Sequence, residues 1–140
     1  MEAKIKRFGN KYFKKDFFGF WFSGEKLVSG LLIYVKELRK KNIKIFILSN
    51  NFRERTEYYR KNFPEIFGNT DKAYFLWETG FVKPDKRAYQ KVLDENRIKA
   101  EDCIYFDDSA ENIQASSLGI KSCLYKGLAK TKKIISNYQQ

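Results

Sequence analysis

Apolar residues recur along this chain in two alternating patterns. Residues 29–41 carry leucine, isoleucine and valine at helical spacing, with lysines on the opposite side and in the last turn. This pattern predicts an amphipathic helix. Residues 43–48 (IKIFIL) form a short and nearly continuous apolar run, which is typical of a buried parallel strand. The pattern therefore predicts a helix followed directly by a strand.

Strands and helices continue to alternate along the rest of the chain. The other predicted elements are strands at 72–76, 103–106 and 121–125 and helices at 10–22, 52–62, 85–96, 109–119 and 128–137. Such alternation favours an α/β fold with a doubly wound parallel sheet flanked by helices.

The composition is that of a globular protein. The chain is 43% hydrophobic and 17% aromatic, which is enough to form a core, and no run of 18 apolar residues is present. The first residues are charged and lack the apolar stretch of a secretory signal, so the expected compartment is the cytoplasm. Cys103 and Cys123 have no CxxC spacing and the chain has no histidine, which predicts two reduced, buried thiols rather than a zinc site.

The formal charge of +11 raises the question of a polyanionic partner. The lysines are dispersed along the chain rather than gathered in one block, and no recognised nucleic-acid-binding motif accompanies them. Nucleic-acid binding is therefore not the expected role, although it stays open as an alternative that binding at low salt would reveal.

Three short segments place polar residues directly after predicted strands or in a loop before a helix. Residues 45–51 read IFILSNN, residues 80–85 read GFVKPD, and residues 104–112 read IYFDDSAEN. In an open α/β sheet, ligands bind outside the carboxyl ends of the strands. A hydroxyl, a lysine and paired carboxylates that converge at that edge suit phosphoryl transfer, which depends mostly on positioning and charge neutralisation.

The order and spacing of these segments resemble motifs II, III and IV of the haloacid dehalogenase-like (HAD) hydrolases. The surrounding sequence is similar to the branch that contains haloacid dehalogenases and epoxide-hydrolase phosphatases. The similarity extends from about residue 23 to residue 125. It implies a Rossmann-like core over residues 29–140 and a partial helical cap over residues 1–28.

The resemblance also implies roles for individual residues. Ser49 and the amides after it would bind phosphate oxygens, and Lys83 would offset developing negative charge. Asp108, with Asp107 beside it, would hold Mg²⁺ through hard oxygen ligands, Asp108 being the more direct ligand.

Two further positions match the pattern of the family. Asn50 would lie near the substrate and cap, and Asn112 would support the metal or the lysine. The implied activity is that of a Mg²⁺-dependent phosphatase acting on a small phosphorylated metabolite.

Each of these residues also has an ordinary structural interpretation. Ser49 could cap a turn or a helix, and Lys83 could be one more solvated lysine. Asp107 and Asp108 could favour the dipole of the helix that follows them. Two adjacent carboxylates nevertheless repel each other unless a cation or a lysine compensates their charge.

One motif of the family is absent from the sequence. HAD enzymes begin with an apolar strand that ends in Asp-X-Asp, whose first aspartate attacks phosphorus and whose second is the general acid and base. No Asp-X-Asp occurs here, Asp16 follows no strand-like run, and residues 3–8 (AKIKRF) are too polar to replace the strand. A truncated sequence, a misplaced start codon and a degenerate gene are all compatible with this absence.

The missing strand is central in the sheet of the family, between the strand ending at Ser49 and the strand ending at Asp107. Without it, two strand edges stay unpaired, so that either the sheet closes up, or another chain supplies the strand, or the fragment is marginally stable. Self-association through the unpaired edges is one of these alternatives. The chain alone is then predicted to be inactive. The alternatives are a HAD-like domain that binds without catalysis and a basic nucleic-acid-binding protein.

Overall fold

The computed structural model describes residues 26–114 and 118–139. The helices of this part are α1 (Leu31–Lys40), α2 (Arg53–Asn62), α3 (Pro64–Gly68), α4 (Leu76–Thr79), α5 (Lys86–Asn96), α6 (Ala110–Gln114) and α7 (Leu128–Tyr138), with a 3₁₀ turn at Ala100–Asp102. The strands are β1 (Phe46–Ser49), β2 (Lys72–Phe75), β3 (Ile104–Asp107) and β4 (Lys121–Leu124). The predicted helix at 10–22 and nearly all of the predicted cap lie outside the described residues.

The four described strands form two parallel pairs. β1 pairs with β2, with Phe46 opposite Lys72 and Ser49 opposite Phe75. β3 pairs with β4 in the same way, and within the described residues no hydrogen-bonded ladder joins β1 to β3. The α/β class with parallel strands and flanking helices is confirmed. The two pairs divide at the point where the family resemblance implies a further central strand.

Every strand predicted within the described residues is present. The largest difference between predicted and observed strand bounds is at the start of β1. The predicted strand begins at residue 43, whereas β1 begins at Phe46. Directly before β1, Asp71 binds Ile45 through both its backbone and its side chain. The Asp71 N–H donates to the Ile45 carbonyl at 2.7 Å, and its carboxylate accepts hydrogen bonds from the Ile45 N–H and from Arg39, both at 2.7 Å. The short helices α3 and α4 were not predicted, since four or five residues are too few to show a helical period.

The buried core of the described residues is formed by side chains of β2, α5 and α1. Its hydrophobic members are Leu38, Tyr74, Phe75, Ala88, Tyr89 and Leu93. Tyr74 and Phe75 are consecutive, so β2 is covered on both faces, as expected for a strand of a parallel sheet. The side chains of β1 and most of β3 are only half-buried.

The cysteines and the absence of long apolar runs were the two predictions from composition. Cys103 and Cys123 are free thiols, as predicted, but both are half-buried rather than buried. Cys103 lies just before β3, where its Sγ contacts the carbonyl of Lys99 at 3.2 Å. No described helix is both long enough and apolar enough to cross a membrane.

Candidate active site

A buried lysine–aspartate pair joins the two halves of the sheet. Lys83 comes from the loop between α4 and α5, and its Nζ lies 2.5 Å from Oδ2 of Asp107, the last residue of β3. The side chains are 8% and 6% exposed, so Lys83 is not the solvated lysine of the ordinary interpretation. A charged pair this far from solvent has to be satisfied by its neighbours.

The backbone of Lys83 is held by the residue that follows β1. The side-chain Oδ1 of Asn50 accepts a hydrogen bond from the Lys83 N–H at 2.8 Å, and its Nδ2 donates to the Lys83 carbonyl at 3.0 Å. Asn50 was predicted to lie near the substrate. Its side-chain contacts within the described residues fix the loop that carries the lysine.

The loop itself is shaped at both ends by local sequence. Gly80 ends α4 with a positive φ of 75°, a conformation that favours glycine. Asp85 caps the next helix, α5, by accepting a hydrogen bond from the Arg87 N–H. Pro84 therefore precedes the cap rather than lying in the first turn of the helix, and its peptide bond with Lys83 is cis.

Both oxygens of Asp107 are engaged. Oδ2 accepts from Lys83 Nζ, from the Tyr105 hydroxyl and from Asn112 Nδ2, the last at 3.1 Å. Oδ1 accepts from the Ser109 N–H at 2.8 Å. Asn112 therefore supports Asp107, and only indirectly the lysine.

This environment fixes the charge states of the two groups on β3. Burial raises the pKa of the Asp107 carboxyl, but the hydrogen bonds from Lys83, Tyr105 and the Ser109 N–H outweigh it and hold that pKa well below 3.8. Burial, followed by the hydrogen bond to Asp107, raises the pKa of the Tyr105 hydroxyl far above 10.0. At neutral pH, Asp107 is therefore an anion and Tyr105 a neutral hydrogen-bond donor.

Asp107 and Asp108 have different surroundings although they are adjacent. Asp107 is buried and fully hydrogen-bonded, whereas Asp108 is exposed and makes no side-chain hydrogen bond or ion pair with the described residues. Of these two described aspartates, Asp108 is the one with both carboxylate oxygens free for a cation. The described residues hold no cluster of three or more acidic or thiol side chains that could enclose a metal ion on its own.

Ser49 ends β1 beside Asn50. Its Oγ accepts a hydrogen bond from the Asn51 N–H at 3.2 Å, which leaves the hydroxyl proton available to another acceptor. The ordinary turn interpretation of Ser49 is therefore observed, and it is compatible with donation to an anion. Ser49 is half-buried at the same edge as the lysine loop.

Sequence reasoning missed two tyrosines at this site. Tyr105 bonds to both members of the ion pair, and Tyr89 of α5 packs edge-on against it at 5.3 Å between ring centroids. The alternation of side chains along a strand offered a signal, because Tyr105 and Asp107 are two positions apart and share a face of β3. No comparable local signal points to Tyr89.

Comparison with known proteins places this chain in a family. A sequence model described as haloacid dehalogenase-like hydrolase matches residues 3–117, beginning well before residue 23, where the motif resemblance begins. The match includes Ser49, Lys83 and Asp107.

Solved structures share the fold. A HAD family enzyme from Bacteroides thetaiotaomicron, in its magnesium complex, has a TM-score of 0.80 and 23% identity over 95% of this chain and 71% of that chain. An aspartate-to-alanine mutant of that enzyme, in complex with magnesium and inorganic phosphate, has a TM-score of 0.76 and 24% identity over 86% of this chain and 65% of that chain. A HAD-like family hydrolase from Porphyromonas gingivalis has a TM-score of 0.79 and 19% identity over 99% of this chain and 71% of that chain.

At these identities the solved structures show a shared fold, while the family match covers most of the chain. In the phosphate complex, this chain spans 65% of the length of its counterpart. The chain belongs to the haloacid dehalogenase-like hydrolase family.

Proposed function

We propose that this chain supplies the phosphate-binding and magnesium-binding part of a HAD-type phosphatase that acts on small phosphorylated metabolites. The observation that carries the proposal is the buried ammonium of Lys83 at the carboxyl end of the sheet. Two of its three protons bond to Asp107 and Tyr105, and the third has no partner among the described residues. An anion at this edge would meet that proton and the Ser49 hydroxyl.

The hydrogen-bond donors left free at the site, on Lys83 and Ser49, suit the oxygens of a phosphate. Asp107 and Tyr105 accept two of the three Lys83 N–H groups, so the third stays free to bind an anion. Preorganised donors in a buried site bind developing negative charge more strongly than donors in water. The role of Lys83 is to hold phosphate oxygens, and the role of Ser49 is to orient them. Asp107 keeps the lysine in place and does not itself touch the substrate.

The residues present fit Mg²⁺. Mg²⁺ prefers oxygen ligands, keeps several waters, and is commonly bound by one or two carboxylates together with substrate phosphates. Asp108 offers one free, exposed carboxylate beside the phosphate-binding groups. A bound Mg²⁺ would neutralise the charge of the phosphate. The Bacteroides enzyme was crystallised with magnesium and inorganic phosphate, which supports the same pairing here.

We assign no attacking carboxylate to any of the 140 residues. The sequence contains no Asp-X-Asp, and β1 and β3 each pair on one side only within the described residues. We therefore propose that the chain alone is inactive and that a strand carrying the nucleophile completes the sheet between β1 and β3. The same unpaired edges support self-association, which sedimentation velocity at several concentrations would measure.

Titration calorimetry of inorganic phosphate in the presence of Mg²⁺ tests the binding function. The wild-type chain is expected to bind phosphate, and Asp108→Asn is expected to weaken Mg²⁺-dependent binding roughly tenfold. Asp102→Asn is the matched control, because Asp102 is exposed at the opposite end of the strand. Equal effects of the two substitutions, or no phosphate binding by the wild type, would contradict the proposal.

A hydrolysis assay with para-nitrophenyl phosphate tests the rest. No turnover is expected from the chain alone, and turnover that Asp108→Asn abolishes would refute its inactivity. Addition of a peptide with an apolar strand ending in Asp-X-Asp is expected to restore Mg²⁺-dependent hydrolysis. Phosphate binding that never leads to hydrolysis would favour a non-catalytic HAD-like domain, and salt-sensitive binding of DNA or RNA without phosphate binding would favour the nucleic-acid alternative.

A further inference from the structure

We propose that Tyr105 is a positioning residue that fixes the direction of the Lys83 ammonium toward an incoming phosphate. This inference rests on the proposed function, because it assigns the lysine to phosphate. It concerns a residue to which neither the motif pattern nor its spacing gives a role.

The Tyr105 hydroxyl lies between the two charges of the buried pair. It donates a hydrogen bond to Asp107 Oδ2, and it accepts one from Lys83 Nζ at 2.9 Å. A phenol has one proton to donate, so its donor capacity is used fully by Asp107. The three groups form a closed triangle, since Lys83 Nζ also reaches Asp107 Oδ2 at 2.5 Å.

The ring of Tyr105 is itself held in place. Tyr89, which is 2% exposed, packs edge-on against it with an interplanar angle of 80°. The Tyr89 hydroxyl donates a hydrogen bond to the Asn112 carbonyl at 2.8 Å, and the Asn112 side chain donates one to Asp107 at 3.1 Å. Contacts therefore run in a ring through α5, α6 and β3, and the Tyr105 hydroxyl has little freedom to move.

This ring has a consequence for the lysine. A lysine side chain is flexible, and a single hydrogen bond to Asp107 would let its ammonium rotate about that bond. With Tyr105 as a second acceptor, two of the three N–H directions are set, and tetrahedral geometry then sets the third. An ammonium ordered before binding avoids the loss of side-chain entropy on phosphate binding, and this is how a positioning residue raises affinity.

Tyr105→Phe compared with Tyr89→Phe tests the inference. Each substitution removes one hydroxyl from the same pair of rings, but only the first removes a hydroxyl that touches Lys83 and Asp107. The first readout is the rate at which acetic anhydride modifies Lys83, measured by mass spectrometry against the exposed Lys86 of the same chain. Tyr105→Phe is expected to raise the relative rate roughly tenfold, the equivalent of one hydrogen bond to a charged group. Tyr89→Phe removes only an indirect support of the Tyr105 hydroxyl and is expected to raise the rate by a clearly smaller factor.

The second readout is the affinity for inorganic phosphate with Mg²⁺ present. Tyr105→Phe is expected to weaken it roughly tenfold, while Tyr89→Phe is expected to weaken it by a clearly smaller factor. If the wild type binds no phosphate, the proposed function fails, but the modification rates still decide whether Tyr105 orders the lysine. Equal changes in the two variants, in either readout, would overturn the inference, because they would show that the direct contact of the Tyr105 hydroxyl with Lys83 has no effect of its own.

Thermal unfolding of each variant checks that the comparison is between folded proteins. Tyr105→Met, which keeps an apolar side chain without a hydroxyl, is the second variant if Tyr105→Phe does not fold. A Tyr105→Met protein that is folded and keeps wild-type modification and affinity would also overturn the inference.

Discussion

Two clusters of this chain have nearly the same chemistry and very different surroundings. Lys83 and Asp107 are 2.5 Å apart, and Lys72 and Glu95 are 2.6 Å apart. In each cluster a tyrosine hydroxyl donates to the carboxylate, Tyr105 in the first and Tyr74 in the second. The lysine and the carboxylate are 8% and 6% exposed in the first cluster but 52% and 33% exposed in the second.

The position of each cluster along its strand accounts for its surroundings. Asp107 is the last residue of β3, at the carboxyl edge where α/β sheets bind ligands, whereas Lys72 is the first residue of β2, at the other end of a strand. The exposed cluster loses much of its interaction energy to water and salt. The buried cluster is not screened in this way, so each of its charges depends on the other. A short lysine–carboxylate distance therefore indicates function only together with burial and the right strand end.

Removal of each lysine should give the largest contrast between the clusters. Lys83→Met leaves Asp107 as a buried, uncompensated charge, and it is expected to lower the free energy of unfolding by about 3 kcal/mol. Lys72→Met is the matched control and is expected to change the free energy of unfolding little, because Lys91 still pairs with Glu95 at 2.6 Å. Urea denaturation followed by tryptophan fluorescence measures both.

A double variant sharpens this contrast. Lys83→Met combined with Asp107→Leu removes both charges and is expected to recover most of the lost stability while phosphate binding stays absent. Equal destabilisation by Lys83→Met and Lys72→Met would mean that the burial of the first pair has no energetic consequence.

A smaller effect is expected from the two asparagines that support the clusters. Asn50→Ala removes two hydrogen bonds to the backbone of Lys83, and Asn96→Ala removes two from its Nδ2, to Tyr74 and to the Val92 carbonyl. Each substitution is expected to cost about 1–2 kcal/mol of unfolding free energy. Only Asn50→Ala is expected to weaken phosphate binding in calorimetry, because it frees the loop that carries Lys83. A loss of binding in Asn96→Ala as well would mean that general destabilisation, not the lysine loop, controls affinity.

The smallest effect is expected in the acid dependence of stability. Hydrogen bonds from Lys72, Lys91 and Tyr74 lower the pKa of Glu95 from 4.5 to about 2. A carboxyl whose pKa is lower in the folded state stabilises the protein above its unfolded pKa, and this contribution is lost as pH falls from 4.5 towards 2. Glu95→Gln should therefore flatten the dependence of melting temperature on pH within that window, with Lys91→Gln as a milder comparison. An unchanged slope would show that the exposed cluster does not contribute.

Local patterns were sufficient for the elements and for the ends of the strands. The apolar runs before Ser49 and Asp107 predicted β1 and β3, and the ends of both strands lie at or next to the predicted positions. The short helices α3 and α4 were missed because they are shorter than the window in which a helical period can be recognised. The late start of β1 was missed because it depends on Asp71, which is 26 residues away from Ile45.

The order of the motifs was sufficient to predict the family and six residues of the site, and the motifs can be read from the sequence alone. The family pattern made Asp108 the more direct metal ligand, but the sequence could not show that Asp107 is buried and hydrogen-bonded to Lys83, because both aspartates follow the same apolar run. The burial of Lys83 and its contact with Tyr105 could not be predicted from the sequence either, since Lys83 and Asp107 are 24 positions apart. Contacts over such separations depend on how β1, β3 and the loop before α5 come together, and hydrophobic periodicity records only which face of an element turns inward.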